Sequence, residues 1–258
     1  MQIQNKVIVI TGASSGIGAE MAVQIAAKGG IPVLIGRAEH KLNEVAAGIS
    51  GKHGVYVMDV RDDAAAQETM KQIIVQYGRI DILINNAGFG VFTSFLESPI
   101  EEFEAMMDVN YMGIVRCTKA VLPQMIARGS GHVVNIASIA GKIGTAKSTG
   151  YSASKHAVLG LTNALRQELA GSGVKVTAIN PGPIATPFFE KADPTGNYVK
   201  NISNYMLKPE KVAQVVLQAI EKEQDERNLP HMFALGAKFA QLFPRTFNRI
   251  SVKFLNKK

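Results

Sequence analysis

Short runs of β-branched and aliphatic residues alternate along the chain with longer stretches in which apolar residues recur at helical spacing. The runs predict buried strands, and the longer stretches predict amphipathic helices. We therefore expect an α/β fold with a doubly wound, mostly parallel seven-stranded sheet flanked by helices on both faces. The predicted strands are residues 6–10, 32–36, 54–58, 81–84, 131–136, 174–180 and 231–235, and the predicted helices are residues 19–28, 62–77, 100–128, 150–170 and 209–223.

The composition is that of one ordinary globular domain, with 258 residues, 47% hydrophobic and 19% charged. Its one cysteine, Cys117, lies in an apolar helical stretch, which predicts a core residue and fits a reducing, cytoplasmic compartment. We find no signal peptide, no run that could span a bilayer and no metal-ligand spacing among the histidines. The net charge of +7 suits anionic ligands such as nucleotides, but no nucleic-acid-binding motif accompanies it.

A glycine-rich turn, TGASSGIG at residues 11–18, joins the first strand to the first helix. Backbone N–H groups in such a turn, together with the helix N-terminus, can bind the pyrophosphate of a dinucleotide. The spacing is GxxxGxG and differs from the usual GxGxxG fingerprint. An ordinary loop is the weaker alternative, because three glycines separate a strand from a helix here. The candidate binding residues are Gly12, Ser14, Ser15, Gly16, Ile17 and Gly18.

Arg37 follows the second predicted strand, where NAD-binding folds place an acid on the adenosine ribose. A guanidinium at this position can bind a 2′-phosphate with two hydrogen bonds, and Gly36 before it offers no carboxylate. The sequence therefore favours NADP(H) over NAD(H). A solvated loop residue is the alternative interpretation of Arg37, and Ser14 and Ser15 supply no second basic residue in the turn.

Polar or small residues also follow the third to sixth predicted strands. Asp59 can accept a hydrogen bond from an adenine amino group, or it can cap the helix that begins near Asp62. Residues 85–88, NNAG, can let the backbone approach a ligand closely, or they can form a simple turn. Because the carboxyl ends of parallel strands share one edge, we expect these residues to converge there. They are Asp59, Val60, Asn86, Ala87, Gly88, Ser138 and Pro181.

Tyr151 and Lys155 lie four residues apart in a stretch with helical spacing, so both side chains can point into one pocket. A free tyrosine ionises at about pH 10, and a nearby cation lowers that pKa. We therefore expect Tyr151 to have a lowered pKa. The alternative is a tyrosine on the helix face and a solvated lysine that never meet, and this spacing alone would favour it.

Together these features resemble the short-chain dehydrogenase/reductase superfamily over nearly the whole chain. Residues 11–18 match its TGxxxGxG turn, residues 85–88 match its NNAG segment, and Tyr151 with Lys155 matches its YxxxK pair. The resemblance implies a Rossmann-type fold, a single catalytic domain over residues 1–258, and a homodimer or homotetramer. Further matches are Asn110 to the helix asparagine, Ser138 to the catalytic serine, and residues 180–182 with Thr186 to the loop beside the nicotinamide.

The resemblance also implies a role for each residue. Tyr151 would protonate the carbonyl oxygen during reduction, Ser138 would orient that carbonyl, and Lys155 would lower the tyrosine pKa and bind the nicotinamide ribose. Asn110 would hold a water that connects Lys155 to solvent, and Thr186 would contact the carboxamide. The chemistry agrees, because hydride transfer to a carbonyl creates an alkoxide that needs a proton. The other residues on this side of the cofactor are Pro181, Gly182 and Ile184.

The expected activity is the NADP(H)-dependent interconversion of a small-molecule carbonyl and a secondary alcohol, without a metal. A 3-oxoacyl reductase of fatty-acid type is an alternative within the same chemistry. A redox sensor that binds NADP without catalysis is an alternative from a different class. The retained Asn110, Ser138, Tyr151 and Lys155 argue against the sensor.

Two further segments have a distinct composition. Residues 187–207 are polar and mixed, which is typical of a loop or lid that selects the substrate. Residues 236–258 form a basic amphipathic extension with no acidic residue. Its apolar stripe favours packing on the body or on a partner subunit, and contact with an anionic membrane surface is the alternative. The stripe consists of Phe243, Phe247, Ile250 and Phe254.

Overall fold

The computed structural model describes residues 1–247 and residue 249. At its centre lies a seven-stranded sheet whose paired strands are all parallel, in the order β3-β2-β1-β4-β5-β6-β7. This confirms the predicted α/β class and strand number. The strands are β1 (Val7–Thr11), β2 (Ile31–Gly36), β3 (Gly54–Val57), β4 (Ile82–Asn85), β5 (Gly131–Ile136), β6 (Val174–Pro181) and β7 (Glu226–Leu229).

Helices connect the strands and cover both faces of the sheet, as expected for parallel strands joined by crossovers. Two short 3₁₀ turns, Ile139–Gly141 and Ser203–Tyr205, and a π-helical turn, Asp108–Met112, complete the described elements. The α-helices are α1 (Gly16–Ala27), α2 (Glu39–Ala47), α3 (Asp63–Tyr77), α4 (Ile100–Met107), α5 (Gly113–Arg128), α6 (Thr149–Glu168), α7 (Phe188–Ala192), α8 (Asn197–Ile202), α9 (Pro209–Glu221) and α10 (His231–Leu242).

The apolar core lies in two layers, one on each side of the sheet. Within β1, Ile8 and Ile10 join the layer under α1 and α9, whereas Val7 and Val9 join the layer under α3 and α5. This alternation follows from the two-residue period of a strand, and burial on both faces explains the unbroken apolar run in the sequence. Cys117 is a fully buried member of the second layer, which confirms its predicted place in the core.

The prediction for the last strand is wrong. Residues 231–235 begin α10, and the seventh strand is instead β7, Glu226–Leu229, which pairs with β6. Pro230 lies between them as the N-cap of α10, and its ring nitrogen cannot donate to a strand ladder. β7 is at the edge of the sheet, where polar residues are tolerated, so its sequence carries no apolar signal.

The segment predicted as a loop or lid, residues 187–207, contains short helices. α7, α8 and the 3₁₀ turn Ser203–Tyr205 lie within it, and Ile184 pairs with Leu207 in an isolated parallel bridge at its base. The bridge brings the two ends of this segment together beyond the carboxyl end of β6. Side chains on α7 and α8 can therefore lie at the carboxyl edge of the sheet, where the glycine-rich turn also lies.

His132 in β5 is completely buried, and its burial should make the free energy of unfolding sensitive to acid. Its Nε2 lies 2.7 Å from Thr177 Oγ1, and that hydroxyl donates to the carbonyl oxygen of Gln224, so Nε2 is the donor to Thr177. The other ring nitrogen, Nδ1, is buried without a hydrogen-bond partner among the described residues. Burial consequently lowers the pKa of His132 to about 4.

We expect His132 to stabilise the fold fully above pH 6.5 and to lose that contribution as the pH falls towards 4, because the unfolded chain then binds a proton that the folded chain resists. The loss between pH 7 and pH 5 should be about 2 kcal/mol. His132→Gln keeps a donor for Thr177 but does not titrate, so its stability should fall less. Urea unfolding of both proteins at the two pH values measures the difference, and identical pH dependence would contradict the assignment.

Candidate active site

A cavity of about 970 Å³ opens at the carboxyl edge of the sheet, and nearly all the predicted site residues line it. Gly18 and Asn110 are not among its lining residues. The separate motifs of the sequence therefore meet at one place, as the parallel sheet requires. The predicted residues that line the cavity are Gly12, Ser14, Ser15, Gly16, Ile17, Arg37, Asp59, Val60, Asn86, Ala87, Gly88, Ser138, Tyr151, Lys155, Pro181, Gly182, Ile184 and Thr186.

The glycine-rich turn is packed so closely that Gly12 and Gly18 leave no room for a side chain. Gly12 has a φ of +67°, and a Cβ added there would lie 2.8 Å from Ala87 Cα. A Cβ on Gly18 would lie 2.3 Å from the carbonyl oxygen of Gly12. α1 begins at Gly16, so its first turn forms part of the cavity wall. This bare backbone at a helix N-terminus fits the pyrophosphate of a dinucleotide.

Asn86 ties the end of β4 to the glycine-rich turn. Its Nδ2 donates to the carbonyl oxygens of Thr11 and Gly12, at 2.9 and 3.1 Å. In return, the backbone N–H groups of Asn86 and Ala87 donate to Thr11 Oγ1. The amide therefore connects two neighbouring strand ends, and residues 85–88 are more than a simple turn.

The polar end of the cavity carries Arg37, Asp59 and Arg61. Arg61 donates to both carboxylate oxygens of Asp59, with Nη2 to Oδ2 at 2.7 Å, and together with the more distant charge of Arg37 it lowers the pKa of Asp59. The cap of α3 is Asp62, whose Oδ1 accepts from the N–H of Ala65. Asp59 therefore does not cap that helix. The sequence did not predict Arg61 as a site residue, because Arg61 belongs to no recognised motif.

Asn110 is buried behind the wall and positions the segment that follows Gly88. It lies in the π-helical turn Asp108–Met112, which interrupts the helix predicted over residues 100–128. Its Oδ1 accepts from the N–H of Phe89, and its Nδ2 donates to the carbonyl oxygen of Phe89 and to Ser154 Oγ, at 2.9, 2.9 and 3.0 Å. Both amide hydrogens are used in these contacts, so any water that Asn110 binds must use its remaining acceptors.

Ser138, Tyr151 and Lys155 form one group in the cavity wall. Ser138 Oγ donates to the carbonyl oxygen of Pro181 at 3.3 Å and is hydrogen-bonded to Tyr151. Lys155 Nζ donates to the carbonyl oxygen of Ile136 at 2.8 Å and lies 5.8 Å from the centre of the Tyr151 ring. The tyrosine and the lysine therefore meet in one cavity, and the alternative of two separate surface groups is excluded.

The expectation of a lowered Tyr151 pKa is wrong for this structure. Burial raises the pKa of Tyr151 to about 12, against a smaller lowering by the hydrogen bond with Ser138. Burial also lowers the pKa of Lys155 to about 8. Both shifts favour the uncharged form, because burial removes the water that would solvate the phenolate and the ammonium. At neutral pH the phenol therefore retains its proton and the lysine remains mostly cationic.

Aromatic rings that the sequence analysis did not identify surround the Tyr151 phenol. Phe92 and Phe188 have ring centres 5.9 and 5.6 Å from that of Tyr151. Tyr198 on α8 packs against Phe92 at 5.2 Å, and Phe189 packs against Phe188 at 5.3 Å. These residues come from the segment after β4 and from α7 and α8, so only the folded chain brings them together.

The C-terminal extension contributes to the same cavity through Gly236 and Phe247, and Met232, which precedes it on α10, also lines the cavity. Phe247 belongs to the predicted apolar stripe and is partly buried, whereas Phe243 is 56% exposed. Ile250 and Phe254, the rest of the stripe, lie outside the described residues.

Within the described part of the chain, the helices are all too short or too polar to cross a membrane. Within that same part, clusters of acidic, histidine and cysteine side chains suited to a metal are absent.

Comparisons with known proteins agree with this geometry. Residues 6–197 match the family model described as short chain dehydrogenase. An uncharacterized oxidoreductase of Staphylococcus saprophyticus is 45% identical over 197 residues, which cover 75% of this chain and 84% of that protein. The 3-oxoacyl-(acyl-carrier-protein) reductase of Thermotoga maritima is 36% identical over 224 residues, which cover 84% of this chain and 91% of that protein.

Solved structures share the whole architecture. The closed form of serine dehydrogenase complexed with NADP+ aligns with a TM-score of 0.80 and 30% identity, over 86% of this chain and 94% of that one. A short-chain dehydrogenase/reductase from Burkholderia phymatum in complex with NAD aligns with a TM-score of 0.86 and 25% identity, over 93% of this chain and 94% of that one. By fold and by matched sequence, this chain is therefore a Rossmann-type oxidoreductase that belongs to the short-chain dehydrogenase/reductase superfamily.

Proposed function

We propose that this protein is an NADP(H)-dependent oxidoreductase that interconverts a carbonyl compound and a secondary alcohol, with Tyr151 as the general acid and base. The observation that carries the proposal is the group of Ser138, Tyr151 and Lys155 in the wall of the cavity that also holds the glycine-rich turn. A proton donor and a dinucleotide cradle in one cavity suit hydride transfer, which requires both.

When bound, the reduced nicotinamide supplies a hydride to the carbonyl carbon. Tyr151 is protonated at neutral pH and gives its proton to the carbonyl oxygen as negative charge develops there. Ser138 Oγ then turns from the carbonyl oxygen of Pro181 and donates a hydrogen bond to the substrate oxygen. This hydrogen bond fixes the orientation of the substrate carbonyl. The ammonium of Lys155 stabilises the phenolate that remains on Tyr151. In this scheme Asn110 positions Phe89 and Ser154 behind these groups.

The preference for NADP(H) rests on Arg37 at the polar end of the cavity. Arg37 is exposed just beyond β2, and Arg61 adds a second cation nearby, although its charge is paired with Asp59. Because two guanidinium groups lie near one carboxylate, the net charge of that end is positive, which suits a 2′-phosphate. In this proposal Thr186 contacts the nicotinamide carboxamide, and Pro181, Gly182 and Ile184, which line the same cavity, lie on the nicotinamide side.

A second candidate within the same chemistry is reduction of a 3-oxoacyl thioester. The 36% identity with the Thermotoga maritima 3-oxoacyl-(acyl-carrier-protein) reductase favours it. It differs from the first candidate only in the substrate, so the residues proposed for hydride and proton transfer are the same.

A panel of ketones, aldehydes and one 3-oxoacyl thioester, followed by the absorbance of NADPH, tests the proposal. We expect the wild-type protein to oxidise NADPH with at least one of the ketones or aldehydes. Activity confined to the thioester would favour the second candidate. A protein that binds NADPH but consumes none with any member of the panel would be a sensor, and the proposed function would be wrong.

We further propose a single catalytic domain that forms a cytoplasmic homodimer or homotetramer through the long helices α5 and α6. Met112 and Ile126, on and beside α5, are exposed apolar residues that such an interface would cover. For the C-terminal extension, packing over the cavity accounts for the partly buried Phe247. Contact with an anionic membrane would use the exposed Phe243 together with Arg245 and Arg249, and a liposome flotation assay without binding would exclude it.

A further inference from the structure

We infer that the carbonyl substrate has a bulky apolar body that lies against an aromatic wall, defined here as Phe92, Phe188, Phe189 and Tyr198. This inference rests on the proposed function and specifies the substrate class for the same site. It assigns substrate selection to side chains on α7 and α8 and to Phe92, which lie outside the motifs that identify the family.

Two aromatic rings of this wall pack against the ring of Tyr151. The ring centres of Phe92 and Phe188 lie 6.4 Å apart, and each is within 6 Å of the Tyr151 ring centre. Gly90 leaves room for these rings, since a Cβ added there would lie 2.9 Å from Phe188 Cζ and 3.0 Å from Tyr151 Cδ2. In this proposal a carbonyl that reaches the phenol places at least one of its substituents near these rings, which pack against the Tyr151 ring and line the same cavity.

The rest of the cavity extends away from the polar end. Its lining there is mainly apolar, and it extends the aromatic wall along the 3₁₀ turn after β5, α8 and α10. An apolar chain or ring can bury surface here without leaving a polar group unpaired. The apolar residues that extend the wall are Ile139, Ala140, Ile143, Ile202, Met232 and Phe247.

The charged side chains that line the cavity limit the charge of the substrate. Among the described lining residues the one carboxylate is Asp59, which belongs to the polar end and is held by Arg61. At the other end Lys191 lines the cavity, with its Nζ 3.8 Å from the centre of the Phe89 ring. A cationic substrate would meet a lysine rather than an acid there. The substrate body is consequently neutral or anionic as well as apolar.

The chain length of a ketone tests the wall directly. Burying one methylene group favours binding by up to about fourfold, so kcat/KM should rise between about two- and fourfold for each added methylene. From 2-butanone to 2-octanone, which differ by four methylene groups, the wild-type ratio should be about 16-fold or more. Phe188→Ala should lower that ratio at least about fivefold, because the removed ring no longer contacts the chain.

Phe95→Ala is the matched control, because Phe95 is 65% exposed, packs on Phe103 and is not part of the cavity lining. Its ratio of kcat/KM for 2-octanone over 2-butanone should equal that of the wild type. A flat or falling wild-type ratio, or better turnover of dihydroxyacetone or of an amino ketone than of 2-octanone, overturns the inference and leaves the proposed function standing.

Binding without turnover separates the two proposals. Isothermal titration of the NADPH complex, which cannot react with an alcohol, with 2-octanol and 2-butanol should give tighter binding of the longer alcohol, and Phe188→Ala should reduce the difference. This result supports the aromatic wall even if every carbonyl in the panel fails to consume NADPH, which would overturn the proposed function. Equal affinity for the two alcohols in the wild type contradicts the inference.

Discussion

Tyr151→Phe should lower kcat for carbonyl reduction by about 10²- to 10⁴-fold, because general acid catalysis contributes a factor of that size to the rate. The change removes only the hydroxyl group. The ring that packs against Phe92 and Phe188 remains, and the glycine-rich turn is separate from it. NADPH binding, followed by the fluorescence of the nicotinamide, should therefore stay within about threefold of the wild type. Steady-state kinetics of the purified variant give the loss in kcat.

Tyr56→Phe is the matched control for that experiment. Tyr56 in β3 donates to Gln76 and lies outside the cavity lining, so the same loss of a hydroxyl should leave kcat unchanged. A Tyr151→Phe protein that retains a tenth or more of wild-type turnover would show that the proton comes from another group. Loss of NADPH binding together with turnover would instead assign Tyr151 to holding the cofactor.

Arg37→Asp should reverse the preference between the two cofactors. A carboxylate next to the 2′-phosphate of NADPH repels it, while the same carboxylate can accept hydrogen bonds from the ribose hydroxyls of NADH. We expect kcat/KM for NADPH to fall by about 10²-fold or more, and that for NADH to stay the same or rise. Kinetics with both cofactors and one ketone measure the ratio.

Lys41→Asp controls for the change in overall charge, because Lys41 is exposed on α2 and is not part of the cavity lining. The ratio of kcat/KM for NADPH over NADH should remain at the wild-type value in this variant. If Arg37→Asp also leaves the ratio unchanged, the guanidinium of Arg37 does not bind the phosphate. Arg61 would then be the next cation to change, since it lines the same end of the cavity.

The fold could be predicted from the sequence because its strands are buried on both faces. β1, VIVIT, appears as an unbroken β-branched run, since both of its faces contact a core layer. β7 lies at the edge and has the sequence ERNL, so it gives no such signal. α2 was not predicted either, because its sequence is mostly polar and only Leu42 and Ala46 are buried.

The site could be predicted where its residues are adjacent in sequence or follow strand ends. The glycine-rich turn and the Tyr151–Lys155 pair are local patterns, and the parallel sheet brings them together without further information. Phe92 and Phe188 come from separate irregular segments, and their approach to Tyr151 depends on packing that no local pattern encodes. The sequence also predicts the wrong direction for the pKa shift of Tyr151. It reveals a nearby cation, which would lower the pKa, but it does not reveal the burial that raises it.

The central claim is that a hydride and a proton reach one carbonyl group in this cavity. NADPH carrying deuterium at C4, prepared separately with the label on each face of the ring, tests the hydride directly when the protein reduces a ketone from the panel. The account predicts one deuterium on the carbinol carbon of the product, delivered from only one of the two labelled cofactors. Oxidation of NADPH without an alcohol product, or an alcohol without the label from either cofactor, would contradict it.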